Sequence, residues 1–143
     1  MPAPELVTIV MVEDDEGHAR LIEKNIRRAG VCNEIRCFTS GTAALEHMFR
    51  ADVRDDGPLL VLLDLNLPDM NGADILARLK ADERLRRAPV VILTTTDDRR
   101  EIERCYALGA SVYITKPVEA EAFAQAIRQL GLFLSVIQIP ASS

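Results

Sequence analysis

Five short, largely apolar runs recur along the chain, and each is followed by polar residues. The runs cover residues 7–12, 35–38, 59–63, 90–93 and 111–115. Most of them lack the regular alternation of apolar and polar residues that a strand with one solvent-facing side shows. Such runs are typical of parallel strands that are covered on both faces. The pattern therefore predicts five buried β-strands.

Between these runs, apolar residues recur at spacings of three and four, which is the period of an amphipathic helix. The first helix carries Ala19, Ile22, Ile26 and Ala29 on one face and ends at Gly30, a typical C-terminal glycine. Four more helices are predicted in the same way: one capped by Thr39 or Ser40, one over residues 71–82, one that begins at Asp97 or Asp98 and turns Ile102, Cys105 and Tyr106 inward, and one over residues 118–130.

Strands that alternate with helices predict an α/β fold with a parallel sheet, since the helices form the crossovers between parallel strands. Such crossovers are right-handed. Covering both faces in this way gives a doubly wound (βα)5 sheet with the flavodoxin-like strand order 2-1-3-4-5. Ligands bind at the carboxyl ends of the strands of such sheets, where the strand order reverses. Here that point lies between strands one and three.

The length of 143 residues suits one domain, which we assign to residues 1–130, followed by an apolar C-terminal extension over residues 131–143. The net charge of −5 argues against a nucleic-acid surface, and the basic residues between positions 78 and 100 alternate with acids as on a solvated helix face. Three cysteines without metal-ligand spacing favour a reducing compartment. With no signal peptide and no membrane-spanning run, we expect a cytoplasmic protein.

Acidic residues follow two of the predicted strands directly. Glu13 and Asp14 come after the first strand, and Asp64 comes after the third. The strand order makes these strands neighbours, so three carboxylates converge and repel one another unless a cation is present. Hard oxygen ligands in a partly hydrated site suit Mg²⁺. We expect Asp14 and Asp64 to bind Mg²⁺ directly, Glu13 to bind through water and the backbone carbonyl of Asn66 to contribute. With no Cys or His expected close by, zinc is disfavoured.

A carboxylate beside Mg²⁺ can act as a nucleophile toward phosphorus and form an aspartyl phosphate. Asp64 is the candidate, because Asn71 already occupies the position of a cap for the next helix. The negative oxygens of the phosphoryl group need further partners. Lys116 can supply an ammonium, Thr94 a hydroxyl and Thr95 a backbone N–H. Alone, each has an ordinary structural explanation, but together they end different strands on one rim.

These residues stand in motifs that resemble the receiver domain of two-component response regulators. The motifs are VED at residues 12–14, DLNLPDMNG at 64–72, LTT at 93–95 and YITKP at 113–117. The resemblance implies that Asp64 accepts phosphate from a histidine kinase or a histidine phosphotransfer protein, and that Glu13 and Asp14 hold Mg²⁺. It also implies phosphoryl contacts from Thr94 and Lys116 and a cis bond between Lys116 and Pro117. Such a domain signals and catalyses only its own phosphorylation and dephosphorylation.

Tyr113 resembles the aromatic switch residue of that family, which turns inward as the threonine moves. A half-buried strand tyrosine with a solvated hydroxyl fits the sequence equally well. The LTTTDD run and the apolar tail also resemble stand-alone regulators that accompany bacterial phytochrome kinases.

The C-terminal extension is too apolar for a simple solvated terminus. Phe123, Ile127, Leu130, Leu134 and Ile137 keep a 4-3-4-3 spacing, the period of a helix seam, and Phe133 adds to this apolar set. Gly131 weakens a continuous helix, so a helical and an extended tail both remain open. We expect a homodimer in which the tail and the fifth helix pack across the partner. The alternative is a tail folded onto its own domain.

Two other functions share parts of this pattern. A haloacid-dehalogenase-like, Mg²⁺-dependent phosphatase also forms an aspartyl phosphate, but its motif needs an acid two residues after the nucleophile, where this chain has Asn66. A flavodoxin-like binding module shares the strand order. The phosphate of a bound flavin would be repelled here by the acidic loop after the first strand.

Overall fold

The computed structural model describes residues 7–50, 58–95 and 97–130. Its centre is a five-stranded sheet in which every pair of neighbouring strands is parallel, in the order β2-β1-β3-β4-β5. The predicted doubly wound fold is confirmed. The strands are β1 Thr8–Val12, β2 Ile35–Phe38, β3 Leu59–Asp64, β4 Val90–Thr94 and β5 Val112–Thr115.

Five helices connect and cover the strands: α1 Glu16–Arg28, α2 Gly41–Phe49, α3 Gly72–Ala81, α4 Arg99–Ala107 and α5 Ala120–Gln129. Side chains of Ser40 and Asp98 accept hydrogen bonds at the starts of α2 and α4, which decides between the two predicted caps in each case. Gly30 follows α1 at a φ of +90°, which a glycine adopts without strain. A short 3₁₀ turn at Leu85–Arg87 was not predicted.

The core lies in two layers, one on each face of the sheet. Ile9 and Met11 of β1 face the layer that includes Ile26 and Phe123, whereas Val10 and Val12 face the layer under α2 and α3. The alternation follows from the period of two along a strand. All six residues of β3 are buried, as expected for a central strand covered on both faces.

Two expectations about helix faces are wrong. Phe123 is 0% and Ile127 is 6% exposed, and both pack in the core of their own domain beside Leu130, so these two side chains do not form the expected dimer seam. Tyr106 is 43% exposed, although it lies one helical turn after Ile102 on the face expected to point inward. It lies instead against Tyr113 at the surface, with ring centroids 5.9 Å apart in an edge-to-face arrangement.

Some expectations fall outside the described residues. Phe133, Leu134 and Ile137 lie there, as does the whole extension over residues 131–143. None of the described helices has the length and apolar character needed to cross a bilayer.

Candidate functional site

Three carboxylates meet at the carboxyl ends of β1 and β3. The register pairs Val12 with Leu63, so Glu13 and Asp64 occupy equivalent positions one residue further along. Oxygens of Glu13, Asp14 and Asp64 all lie within 4.8 Å of one another. Glu13 and Asp64 are buried, and Asp14 is exposed. The structure therefore brings together the three acids that the strand order predicts.

Lys116 completes this cluster from the end of β5. Its backbone N–H donates to the carbonyl of Thr94 at 2.8 Å, which continues the ladder between β4 and β5. Its ammonium donates to Glu13 Oε1 and, at 3.1 Å, to Asp64 Oδ2. The peptide bond between Lys116 and Pro117 is cis, as the sequence motif implies.

The charges in the cluster depend on one another. Burial raises the pKa of the Glu13 carboxyl, and the hydrogen bond from Lys116 opposes that rise. Burial acts to lower the pKa of Lys116, but hydrogen bonds and charge attraction from Glu13 and Asp64 outweigh it and raise that pKa. The lysine therefore stays protonated and compensates part of the negative charge.

The donor set fits a hard divalent cation. Carboxylate oxygens from three residues lie within reach of one point, and one of the three acids is open to solvent, so bound water can complete the coordination. Asn66 lies just beyond Asp64, and its backbone N–H donates to Asp64 Oδ1 at 3.1 Å. This contact places the Asn66 backbone at the edge of the carboxylate cluster.

Two predicted threonines lie at the same end of the sheet as the acids. Thr94 is buried at the last position of β4, and Thr95 is exposed just after it. Thr95 and Lys116 line a cavity of about 250 Å³ together with Pro117 and residues of α1. Tyr113 is 37% exposed and lies within β5, opposite Ile92 of β4, so β4 separates its strand from β3.

His18 is a site residue that the sequence analysis missed. Its Nδ1 lies 3.8 Å from Glu13 Oε1, and its ring lines the 250 Å³ cavity. The expectation that no histidine lies close to the acids is therefore wrong. Asp15 in the sequence could have indicated this position, because it caps α1 by accepting the His18 backbone N–H at 2.9 Å and so places His18 in the first turn, close to Glu13.

Known proteins resemble this chain over most of its length. Residues 9–128 match the response regulator receiver domain family. A solved receiver domain from Rhodospirillum rubrum is 67% identical, with 96% of this chain and 99% of that chain covered and a TM-score of 0.76. The phosphorylated cyanobacterial phytochrome response regulator RcpA is 31% identical, with 95% and 99% covered and a TM-score of 0.73.

A third relative carries a metal. Response regulator Rcp1 of Synechocystis sp. is 29% identical over 137 residues, which are 94% of this chain and 93% of Rcp1. A solved Mn²⁺-bound form of Rcp1 superimposes with a TM-score of 0.72, with 94% of this chain and 99% of that chain covered. These matches favour a two-component regulator over a dehalogenase-like phosphatase or a flavodoxin-like module.

Proposed function

Because the chain belongs to the family of response regulator receiver domains, we propose that Asp64 is its phosphoacceptor. The phosphoryl group comes from a sensor histidine kinase or a histidine phosphotransfer protein. One observation carries this proposal. The Asp64 carboxylate lies 3.1 Å from the Lys116 ammonium and within 4.8 Å of the Glu13 and Asp14 carboxylates. A nucleophile, a cation and a set of metal ligands thus meet in one place.

Receiver domains bind a divalent cation, and for this chain we assign Mg²⁺. Asp14 and Asp64 would hold it directly, Glu13 through water and Asn66 by its backbone carbonyl. When bound, the cation supplies positive charge to the oxygens of the incoming phosphoryl group. Asp14 suits a direct role because it is the exposed acid. The Lys116 ammonium donates to both Glu13 and Asp64, so these two buried carboxylates share one positive charge before the metal binds.

Phosphoryl transfer exchanges one bond at phosphorus for another. An Asp64 oxygen bonds to phosphorus while the bond from phosphorus to the donor imidazole nitrogen breaks, and that nitrogen keeps the electron pair. Lys116 is within hydrogen-bond reach of Asp64 and can follow the negative charge onto the phosphoryl oxygens. The Thr94 hydroxyl and the Thr95 backbone N–H add donors from the end of β4.

The response to phosphorylation starts at Thr94 and Tyr113. Thr94 is buried beside the acids, and the added negative charge attracts its hydroxyl. Tyr113 contacts Tyr106 at the surface, and in the proposed switch it turns inward when Thr94 moves. The exposed pair of tyrosines is therefore the element whose position reports the state of Asp64.

The partner kinase is of the phytochrome type, and the chain's own catalysis is limited to its phosphorylation and dephosphorylation. Support for the kinase type comes from the similarity to RcpA, which is named as a phytochrome response regulator. A cytoplasmic location agrees with the exposed free thiols of Cys32 and Cys37, since such thiols persist in reducing compartments.

The active protein is a homodimer whose contact involves residues 131–143. The buried positions of Phe123 and Ile127 leave the apolar residues of this extension, rather than the α5 core face, for contact with a partner. Removing residues 131–143 is expected to yield a monomer in solution. A truncated protein that keeps the mass of a dimer would exclude the extension as the contact.

The main test is phosphorylation by acetyl phosphate in the presence of Mg²⁺, followed by intact mass spectrometry. The wild-type protein should gain about 80 Da, the mass of one HPO₃. Asp64→Asn should gain nothing, whereas Asp74→Asn, which alters an exposed acid in the first turn of α3, should gain the same mass as the wild type. A wild-type protein that stays unmodified, or an Asp64→Asn variant that is modified, contradicts the proposal.

A further inference from the structure

The loop between β3 and α3, residues 65–71, is tied to the start of α2 by Asp69. The Asp69 carboxylate accepts hydrogen bonds from the Gly41 backbone N–H at 2.9 Å, the Thr42 backbone N–H at 2.8 Å and the Thr42 hydroxyl at 2.5 Å. These bonds lower the pKa of Asp69 to about 2. Asp69 is therefore ionised at neutral pH, where it also matches the positive end of the α2 dipole.

An apolar contact supports the same junction. A Cβ atom at Gly41 would lie 2.5 Å from Met70 Cγ and 2.7 Å from Ile75 Cδ1, which is closer than real atoms approach. Gly41 is buried, and Met70 packs at the edge of the core layer below it. The missing side chain at Gly41 thus lets the loop lie flat on the first turn of α2.

The other end of this loop is the phosphoryl site. The Asn66 backbone N–H donates to Asp64 Oδ1, Asn66 forms a β-bridge with Asn71, and the Gly72 N–H donates to the Leu65 carbonyl at 2.9 Å. The loop is therefore a narrow hairpin with its base at Asp64 and its tip near Asp69. In such a hairpin, restraint at the tip also restrains the base.

We propose that Asp69 is a positioning residue for the metal site. By holding the tip of the hairpin on α2, it fixes the Asn66 backbone and the Asp64 carboxylate in the arrangement that binds the cation. This inference rests on the proposed function, because the metal site belongs to it. Groups that orient metal ligands commonly affect affinity although they do not touch the metal, because they hold the ligands ready for binding.

The test is Mg²⁺ titration by calorimetry of the wild type, Asp69→Ala, Asp69→Asn and Asp82→Ala. Asp82 is a matched control, because its carboxylate accepts the backbone N–H groups of Arg84 and Leu85, both at 2.9 Å, on the connection between α3 and β4. Asp69→Ala should weaken Mg²⁺ binding about tenfold, the lower end for groups that orient ligands. Asp69→Asn keeps an acceptor oxygen and should lose less. Asp82→Ala should keep the wild-type affinity even where its melting temperature falls.

The outcomes test the role of Asp69 separately from the proposed function. A folded Asp69→Ala protein with wild-type Mg²⁺ affinity overturns the inference, and so does an equal loss in Asp82→Ala, which would indicate general destabilisation. If Asp69→Ala does not fold, Asp69→Asn and Thr42→Val, which removes one of the three hydrogen bonds, provide the same comparison. A wild-type protein that binds no Mg²⁺ contradicts the proposed function instead.

Discussion

Two lysines at opposite ends of the sheet have different surroundings. At the carboxyl end, the Lys116 ammonium contacts the carboxylates of Glu13 and Asp64. At the amino end, Lys80 Nζ donates to the backbone carbonyls of Arg86 at 3.0 Å and Ala88 at 2.9 Å. The first lysine is held by opposite charges and the second by neutral carbonyl groups.

Their pKa values move in opposite directions for this reason. Burial lowers the pKa of Lys80, since the carbonyl groups do not offset the loss of water. Burial has the same tendency at Lys116, but the two carboxylates raise its pKa overall. At the amino end, the Lys80 ammonium therefore stabilises the connection between α3 and β4. The carboxyl end concentrates charges that compensate one another and remain available for chemistry.

The largest expected effect follows from Lys116→Met. The Lys116 ammonium contacts Asp64, so its removal takes away a positive charge beside the transferring phosphoryl group. Phosphorylation by acetyl phosphate at saturating Mg²⁺ should slow about 10²–10³-fold, the usual cost of removing one preorganised donor from a developing negative charge. A time course by intact mass spectrometry measures the rate. A rate equal to that of the wild type would show that Lys116 does not assist phosphoryl transfer.

A smaller effect, on stability alone, is expected for Lys80→Met. Hydrogen bonds from a charged donor contribute about 1.5–3 kcal/mol, and Lys80 is only half-buried, so the free energy of unfolding should fall by about 1–2 kcal/mol. Urea denaturation measures this change. Phosphorylation should keep its wild-type rate.

Lys24, the remaining lysine of the chain, is exposed on α1 and provides the matched control. Lys24→Met should change neither stability nor phosphorylation. If Lys80→Met slowed phosphorylation as much as Lys116→Met does, the proposed division between the two ends would be wrong.

The smallest effect concerns Glu13→Gln without Mg²⁺. The folded pKa of Glu13 is above its ordinary value, so between these two values the folded state binds more protons than the unfolded state. The wild type should therefore lose stability relative to Glu13→Gln as the pH rises from about 4.5 toward neutrality. Urea denaturation of both proteins at the two ends of this pH range measures this difference in stability. A wild type that gains stability relative to Glu13→Gln would show that Lys116 more than compensates for burial.

The fold and the centre of the site could be predicted because both depend on local pattern. Buried parallel strands require apolar runs, and the residue that follows each run is placed at the carboxyl end of the sheet wherever the helices run. The strand order alone was enough to predict that Glu13, Asp64 and Lys116 lie close together. Their separation along the chain did not matter, since the sheet sets their distance.

The missed features depend on geometry between elements. Asp69 reaches Thr42 across 27 positions, and no period or motif links a loop tip to the start of another helix. Tyr106 lies one helical turn after Ile102, but its side chain meets Tyr113 at the surface, outside the core. Phe123 and Ile127 do form an apolar stripe, and spacing alone does not tell whether the sheet or a second subunit covers it.

Among the three neighbouring carboxylates, Asp64 is the proposed acceptor. After phosphorylation by acetyl phosphate with Mg²⁺, borohydride reduction and peptide mass spectrometry identify the modified side chain. We predict that the reduced residue is Asp64 and that Glu13 and Asp14 are unchanged. Reduction at Asp14 or Glu13, with Asp64 intact, would contradict the central claim.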